Sequence, residues 1–246
     1  VEETKKQDEM RIQKLLAERG LCSRRVAEEW IKEGRIWVNG KIAEVGQKVN
    51  PNKDRVVVDR KPILPLKIEH LVLAFNKPKG YVCTHHDPHE PRTIFDIIPA
   101  PYCKQKLLMA GRLDKDSEGL LILTNDGALV NRLTHPSYNV IKRYQVVLNK
   151  AFDPKDVETL LKGVYWEGER LYAKKVILST EGVDREKRIE IHLGHGRKRE
   201  IRNMCLALGY QVKKLRRFQI GKYVLRGLRE GQLKRLEAKD IKLLMA

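Results

Sequence analysis

Gly111–Gly127 reads GRLDKDSEGLLILTNDG. Its first half is charged and bounded by glycines, whereas Leu120–Thr124 is an unbroken apolar run that ends at the turn triplet Asn125-Asp126-Gly127. The pattern predicts a polar loop feeding a buried strand. Asp114 lies in that loop between Leu113 and Lys115, so its carboxylate is fixed close to the end of a rigid element, where a scaffold can hold a catalytic group in one geometry. Asp114, Asp116, Glu118 and Gly119 also fall at positions 1, 3, 5 and 6 of a calcium-binding loop, but position 12 is Asn125 instead of a bidentate Glu. Positions 7 to 11 of that register are Leu-Leu-Ile-Leu-Thr, too apolar for a hydrated ion site. A solvated turn without function is the remaining alternative.

Reading outward, a helix is expected over Ala128–Leu133, a strand over Arg143–Leu148, and further strands within Val164–Leu178 and over Arg188–Leu193, with Ile189, Ile191 and Leu193 on one face. A helix over Lys198–Leu208 places Ile201, Met204, Cys205 and Leu208 on one side, and a last helix is expected over Leu233–Met245. Before the loop, Leu71–Phe75 is an apolar strand running into Lys77-Pro78-Lys79-Gly80-Tyr81. Residues 71–246 therefore read as one α+β domain built mainly on antiparallel mixed sheet. Residues 61–70, with Pro62 and Pro65 and no periodicity, read as a linker.

Residues 10–60 read as a small module of two helices and a hairpin. Ile12, Leu15 and Leu16 give a helical face that stops at Gly20, and Ser23 can cap a second helix through Val26, Ala27, Trp30 and Ile31 to Gly34. Ile36–Val38 and Lys41–Val45 flank Asn39-Gly40, a dipeptide suited to a tight primed turn. Residues 1–9 are charged and patternless, a frayed tail in expectation, with Met10 as the functional start.

The net charge is +18, and Arg197–Arg226 holds half of the excess, ten basic side chains against the single acid Glu200. A polyanionic partner follows from that imbalance. No apolar run of about 18 residues exists and the charged N-terminus has no signal-peptide core, so a cytoplasmic protein is expected. Cys22, Cys83, Cys103 and Cys205 form no C-x-x-C pair, which argues against a disulfide framework or a zinc ribbon. Cys83, His85, His86 and His89 lie too close together to make two ligand pairs, so a polar loop and no metal is the expectation there. Neither G-x-G-x-x-G nor G-x-x-x-x-G-K-[ST] occurs, and no nucleotide or other cofactor is expected.

The GRLD opening at Gly111–Asp114, the GLL-x-L-TNDG continuation and the K-P-x-G-Y turn at Lys77–Tyr81 together resemble the pseudouridine synthases, in the branch that modifies ribosomal RNA. The L-x-x-x-G-x-x-S-R-R core at Leu16–Arg25 and the G-R-x-x-V-N-G-K hairpin at Gly34–Lys41 resemble the small RNA-binding module first known from a small-subunit ribosomal protein. The resemblance implies that Asp114 is the catalytic carboxylate, Arg202 its basic partner and Tyr144 the aromatic that stacks on the target base. Arg112, Leu113 and Leu215 would line the base pocket. Two departures from that branch are Ser117, where Thr is common, and His195, where an acid is common before Gly-Arg.

Arg24 and Arg25 stand in the first turn of their helix, where the dipole disfavours cations by a few tenths of a kcal/mol each, so a phosphate docking there would gain the free N–H groups and both guanidinium groups. Arg11, Lys14, Ser23, Arg35, Asn39 and Lys41 complete the RNA contacts expected of the module, and Arg197, Lys198, Arg199, Lys213, Lys214, Arg216 and Arg217 those of the larger domain. A paired or stacked base would have to be flipped into the pocket. The expected partner is ribosomal RNA or a pre-ribosomal particle, without membrane or nucleotide cofactor, acted on by a monomer. Two alternatives stay open: a noncatalytic ribosome-assembly factor, and the same enzyme acting on the small-subunit RNA. The Asp87-Pro88 and Pro91–Asp96 segments lean toward large-subunit members.

Overall fold

Ser23 Oγ accepts the Val26 N–H at 3.2 Å and so starts a helix whose inward positions, Ala27 and Ile31, recur one turn apart. That helix belongs to the first of two compact units into which the chain divides, with the boundary between Glu69 and His70. The computed structural model describes residues 9–63, 69–85 and 87–246.

The first unit runs β1 (Met10–Arg11), α1 (Ile12–Glu18), α2 (Arg24–Lys32), β2 (Ile36–Val38), β3 (Lys41–Ile42), β4 (Lys48–Val49), β5 (Val56–Val58) and β6 (Lys61–Pro62). β3-β2-β5-β6 form one small sheet and β1-β4 another. Asn39 at φ 50° and Gly40 at φ 83° make the tight turn between β2 and β3 that the dipeptide demands. Ile12, Leu15, Leu16, Ala27, Ile31, Ile36, Val38 and Val49 fill one core. Lys61 and Pro62, read above as linker, instead pair with Val58 and Val57, and Ile63 donates to Val56 O at 2.9 Å. The edge of the sheet tolerates Pro62 because its missing N–H costs no ladder bond there. Residues 64–68 of the expected linker, and the expected tail save Glu9, lie outside the described residues.

The second unit carries β7 (Val72–Lys77), β8 (Leu108–Met109), β9 (Glu118–Thr124), α3 (Gly127–Thr134), β10 (Lys142–Leu148), α4 (Asp156–Lys162), β11 (Val164–Trp166), β12 (Glu169–Leu171), β13 (Lys175–Leu178), β14 (Arg188–Leu193), α5 (Glu200–Ala207), β15 (Val212–Ile220), β16 (Tyr223–Val224), β17 (Leu233–Arg235) and α6 (Ala238–Leu244). Its main sheet has the order β13-β14-β10-β15-β9-β7-β17, with β16 on β15 and β8 on β9, and β11 pairs with β12 separately. All pairings in the main sheet are antiparallel except β15 with β9.

The unbroken apolar run of β9 is explained by two cores. Leu121 and Leu123 join Leu73 and Phe75 on one face, while Leu120 and Ile122 join Val72 and Ala74 on the other. Each such fully buried side chain contributes roughly 1.5–3 kcal/mol relative to exposure. Toward the far edge only one face is covered: Tyr144, Val146 and Leu148 of β10 and Ile189, Ile191 and Leu193 of β14 are buried with Ile201 and Met204 of α5. That single covered face also carries the candidate site.

One strand that the sequence reading missed and two readings that need correction appear here. Val212–Ile220 is the longest strand of the sheet, hidden in the sequence because basic residues occupy both of its faces. Leu233–Arg235 is a strand against Leu73–Phe75, so the expected terminal helix begins only at Ala238, behind a capping box of Glu237 and Asp240. α5 begins at Glu200, because Arg199 takes a left-handed conformation, φ 53°, and Lys198 precedes the helix.

Gly119 marks the parallel join. It sits at φ 106°, and a Cβ there would fall 2.2 Å from Arg217 O. Gly119→Ala is therefore expected to cost about 3 kcal/mol or more from overpacking and backbone strain together. Chemical denaturation of the variant checks this, and a midpoint equal to that of the parent would contradict the close approach.

Candidate active site

Lys77, the last residue of β7, is completely buried. Its ammonium donates to four carbonyls: Ser117 at 2.8 Å, Pro78 at 3.0 Å, Asp114 at 3.2 Å and Lys115 at 3.5 Å. Burial pulls its pKa below the ordinary lysine value, while the carbonyl oxygens and the charges of Asp114, Asp116 and Glu118 favour the protonated form. One cation thus gathers the backbone of the Asp114 loop. Gly80 N–H to Lys115 O at 2.8 Å and Ser117 N–H to Asp114 O at 3.0 Å close the same loop from either side.

The Asp114 carboxylate itself is half-buried, and among the described residues no hydrogen bond or ion pair reaches it. It lines a cavity of about 120 Å³ together with Arg112, Leu113, Tyr144, Leu215 and Ile201. The backbone is fixed and the functional group is left free, as a nucleophile or base requires. Tyr144 stands opposite Arg217 across the β10–β15 ladder, so ring and guanidinium share one face, 6.0 Å apart. Leu113 is held by its N–H to Cys83 Sγ at 3.4 Å.

Arg202 does not form the expected pair with Asp114. Its Nη1 donates to Val212 O at 3.1 Å and its Nη2 to Asp116 O at 3.1 Å and Ser117 Oγ at 3.4 Å. Carbonyl oxygens on α5's two neighbours have taken the guanidinium, which braces the end of the Asp114 loop while remaining close enough for the Asp114 charge to act on it. Burial and the charge of Arg199 lower its pKa.

The basic stretch divides by strand alternation. Leu215 and Arg217 turn into the cavity, and Arg217 is almost fully buried with Nε on Leu120 O at 2.7 Å, so it is not the phosphate-facing residue expected. Lys213 and Lys214 are exposed, the latter paired with Glu118 at 3.0 Å, and Arg216 is half-buried. Arg197, Lys198 and Arg199 are exposed in the turn before α5, with Arg197 also held by Glu169 and Arg170 O. His195 Nδ1 lies 2.7 Å from Glu200 Oε1, out of line for a hydrogen bond, and Tyr172 meets the imidazole edge-on.

In the first unit Arg24, Arg25 and Lys41 are exposed, and Arg11 is exposed on β1. Arg35 and Asn39 are engaged within the unit instead. Arg35 makes a two-pronged pair with Asp59 at 2.6 and 2.8 Å, a bond to Glu33 and a stack on Trp30, and Asn39 bridges Asp54 and Arg55. The neighbouring acids hold its guanidinium above the usual range. Lys14 pairs with Glu18, and Ser23 spends its hydroxyl on the helix cap.

Sequence reasoning missed Lys77 as the anchor and missed Lys142 and Glu200 as cavity-lining residues. Period-two spacing offered one signal, since Lys142 shares a face with Tyr144 and Val146. In the histidine segment, Cys83 is occupied by Leu113 N–H and His85 stacks on Phe95 with centroids 4.0 Å apart. His86 lies outside the described residues.

Residues 71–207 match the family model described as RNA pseudouridylate synthase, and residues 10–54 match that of the S4 domain. The chain is 36% identical over 242 residues to the Bacillus subtilis protein named ribosomal large subunit pseudouridine synthase B, covering 96% of each. It is 38% identical over 224 residues to the dual-specificity RNA pseudouridine synthase RluF of Escherichia coli K12, covering 91% of this chain and 74% of that one. A crystal structure of a pseudouridylate synthase superposes with a TM-score of 0.67 at 28% identity, over 96% of this chain and 99% of that one.

The Lys77 anchor has a measurable consequence. Lys77→Met takes the shared ammonium donor away from these carbonyls, so the Gly80 and Ser117 amides are expected to exchange with solvent about tenfold faster or more. Hydrogen exchange followed by mass spectrometry checks it, and unchanged protection of those amides would mean that the loop is held by other contacts.

Proposed function

The chain belongs to the RNA pseudouridylate synthase family, and on that premise we propose that it converts one specific uridine of large-subunit ribosomal RNA to pseudouridine. The observation that carries this reading is the Asp114 carboxylate, free of internal partners beside a cavity, on a backbone pinned by Lys77. A noncatalytic RNA binder has no use for an unpaired carboxylate in a basic cavity, where it repels phosphate.

In the proposed reaction the target nucleotide leaves its helix and its base enters the cavity against Tyr144 and Leu215, with Arg112 and Leu113 at the rim. Asp114 then either attacks C1′ of the ribose or removes a proton that expels the base; both routes need the ionised form. The freed base turns, and its C5 bonds to C1′. Nothing is oxidised, reduced or hydrolysed. Arg202 acts by positioning the loop, as its bonds to Asp116 O and Ser117 Oγ suggest.

Affinity would come from Arg24 and Arg25 at the exposed start of α2, from Lys41 and Arg11, and from Lys198, Arg199, Lys213 and Arg216 in the larger unit. The large-subunit assignment is supported by the name of the Bacillus subtilis relative, which spans the same length, and by the Asp87–Asp96 segment. The reading takes the enzyme as a single chain acting in the cytoplasm. Among the described residues no helix is long and apolar enough to cross a membrane.

Asp114→Asn keeps the shape of the side chain and removes its charge, so pseudouridine formation is expected to vanish while RNA affinity stays. Tritium release from labelled uridine in ribosomal RNA is the measurement; near-parental turnover refutes the assignment, and pseudouridine mapping of cells with and without the gene locates the target. Arg24→Ala with Arg25→Ala is expected to flatten the plot of log affinity against log salt by roughly one to two units of slope. An unchanged slope in that titration would remove the α2 start from the RNA interface.

A further inference from the structure

Two buried cations line the catalytic cavity, and among the described residues neither forms an ion pair. Lys142, at the start of β10, is 5% exposed, and among the described residues its ammonium reaches one acceptor, Val140 O at 3.2 Å. Arg217 is 2% exposed; its Nε is satisfied by Leu120 O, but its Nη2 is buried without a hydrogen-bond partner among the described residues. Both line the cavity that holds Asp114 and Tyr144. Burying an unpaired donor and holding two like charges close together are both costly, so the arrangement is stabilised when an anion enters.

The acids around Lys142 act on it without forming an ion pair with it. Glu200, from α5, accepts the Arg197 N–H at 3.1 Å through Oε2, and its Oε1 lies against His195. Asp114 and Arg112 approach from the loop, and Arg199 from the turn before α5. Desolvation, with the Arg217 charge added, lowers the Lys142 pKa to about 8, against the opposing pull of Glu200.

The reaction itself creates the missing anion. When the N1–C1′ bond breaks, its electron pair stays on N1, and the base becomes a uracil anion with charge shared by O2 and O4. This holds whether Asp114 bonds to C1′ or takes a ribose proton. The charge is discharged when C5 gives an electron pair to C1′, which releases Asp114 as its carboxylate on the first route and is accompanied by return of the ribose proton from Asp114 on the second; C5 then loses its proton and N1 takes one up.

We propose that Lys142 and Arg217 are further catalytic residues, whose charges stabilise the departing uracil anion while it turns beneath Tyr144. The inference rests on the isomerase reading above. It assigns the two cations a role in lowering the barrier, beyond binding the ground state.

Single-turnover rates at saturating enzyme, on RNA carrying uridine or 5-fluorouridine at the target, test this. Fluorine makes the base a better leaving group, so it needs less electrostatic help. Lys142→Met is expected to slow cleavage of the N-glycosidic bond on the order of 100-fold with uridine, and about tenfold or less with 5-fluorouridine. Equal losses on both substrates would assign Lys142 a structural role and overturn the proposal. An unchanged rate with weakened RNA affinity would also overturn it, by identifying the bound anion as a phosphate.

Lys142→Arg serves as the second variant and remains informative should Lys142→Met fail to fold. A lysine with a pKa of about 8 is charged below that pH and neutral above it, so the parent rate is expected to fall as pH rises through 8. A guanidinium does not titrate there, and the fall should disappear in Lys142→Arg. A fall that persists in that variant contradicts the assignment. Failure of the parent protein to form any pseudouridine would instead refute the isomerase reading itself.

Discussion

The larger unit is organised around one buried ammonium group. Lys77 ends a strand that is buried on both faces, and its carbonyl partners belong to the turn after it and to the Asp114 loop. A neutral side chain there would leave several carbonyl oxygens dry, and a free loop would let the Asp114 carboxylate wander by more than the fraction of an ångström that catalysis tolerates. Position and reactivity are thereby assigned to different groups. Lys77 and Arg202 use backbone carbonyls to fix where the loop is, which leaves the carboxylate uncommitted.

β15 solves a related problem with alternation alone. The run Lys213-Lys214-Leu215-Arg216-Arg217 sends Leu215 and Arg217 to the covered face and leaves Lys214 and Arg216 on the other. Basic residues that look equivalent in sequence therefore occupy two dielectric environments. The exposed ones are screened by water and salt, whereas Arg217 acts in a cavity where its charge is felt more strongly.

Much of this was legible in the sequence. The Asp114 loop and β9 could be read because an apolar run next to a polar, glycine-bounded one has few other interpretations, and α2 could be read from its cap and its helical spacing. β15 could not, since a strand with charges on both faces shows no hydrophobic period until the partners of each face are known. The same limit hid Lys142, a lysine that belongs to the buried side of its strand. The pairing of Arg35 with Asp59 could not be read because Asp59 lies in the turn after β5, far along the sequence, and only folding brings the two together. The expected Arg202–Asp114 pair failed for the opposite reason: the two groups are near each other, but carbonyl oxygens compete successfully for the guanidinium.

The parallel join of β15 to β9, with Arg216 beside Glu118 and Arg217 beside Gly119, ties segments almost a hundred residues apart into one register. Loop closure over that span is entropically slow, and contacts of such separation form late when a chain folds. The cavity therefore has no early version. Until the C-terminal part of the chain has been synthesised and has docked, a nascent molecule can hold a finished N-terminal unit, already able to fold on its own short-range contacts, while the chemistry is still unassembled. On this view a growing chain acquires its grip before its reactivity, and a slip of one residue in the join would turn Arg217 out of the cavity and leave a folded but inert sheet.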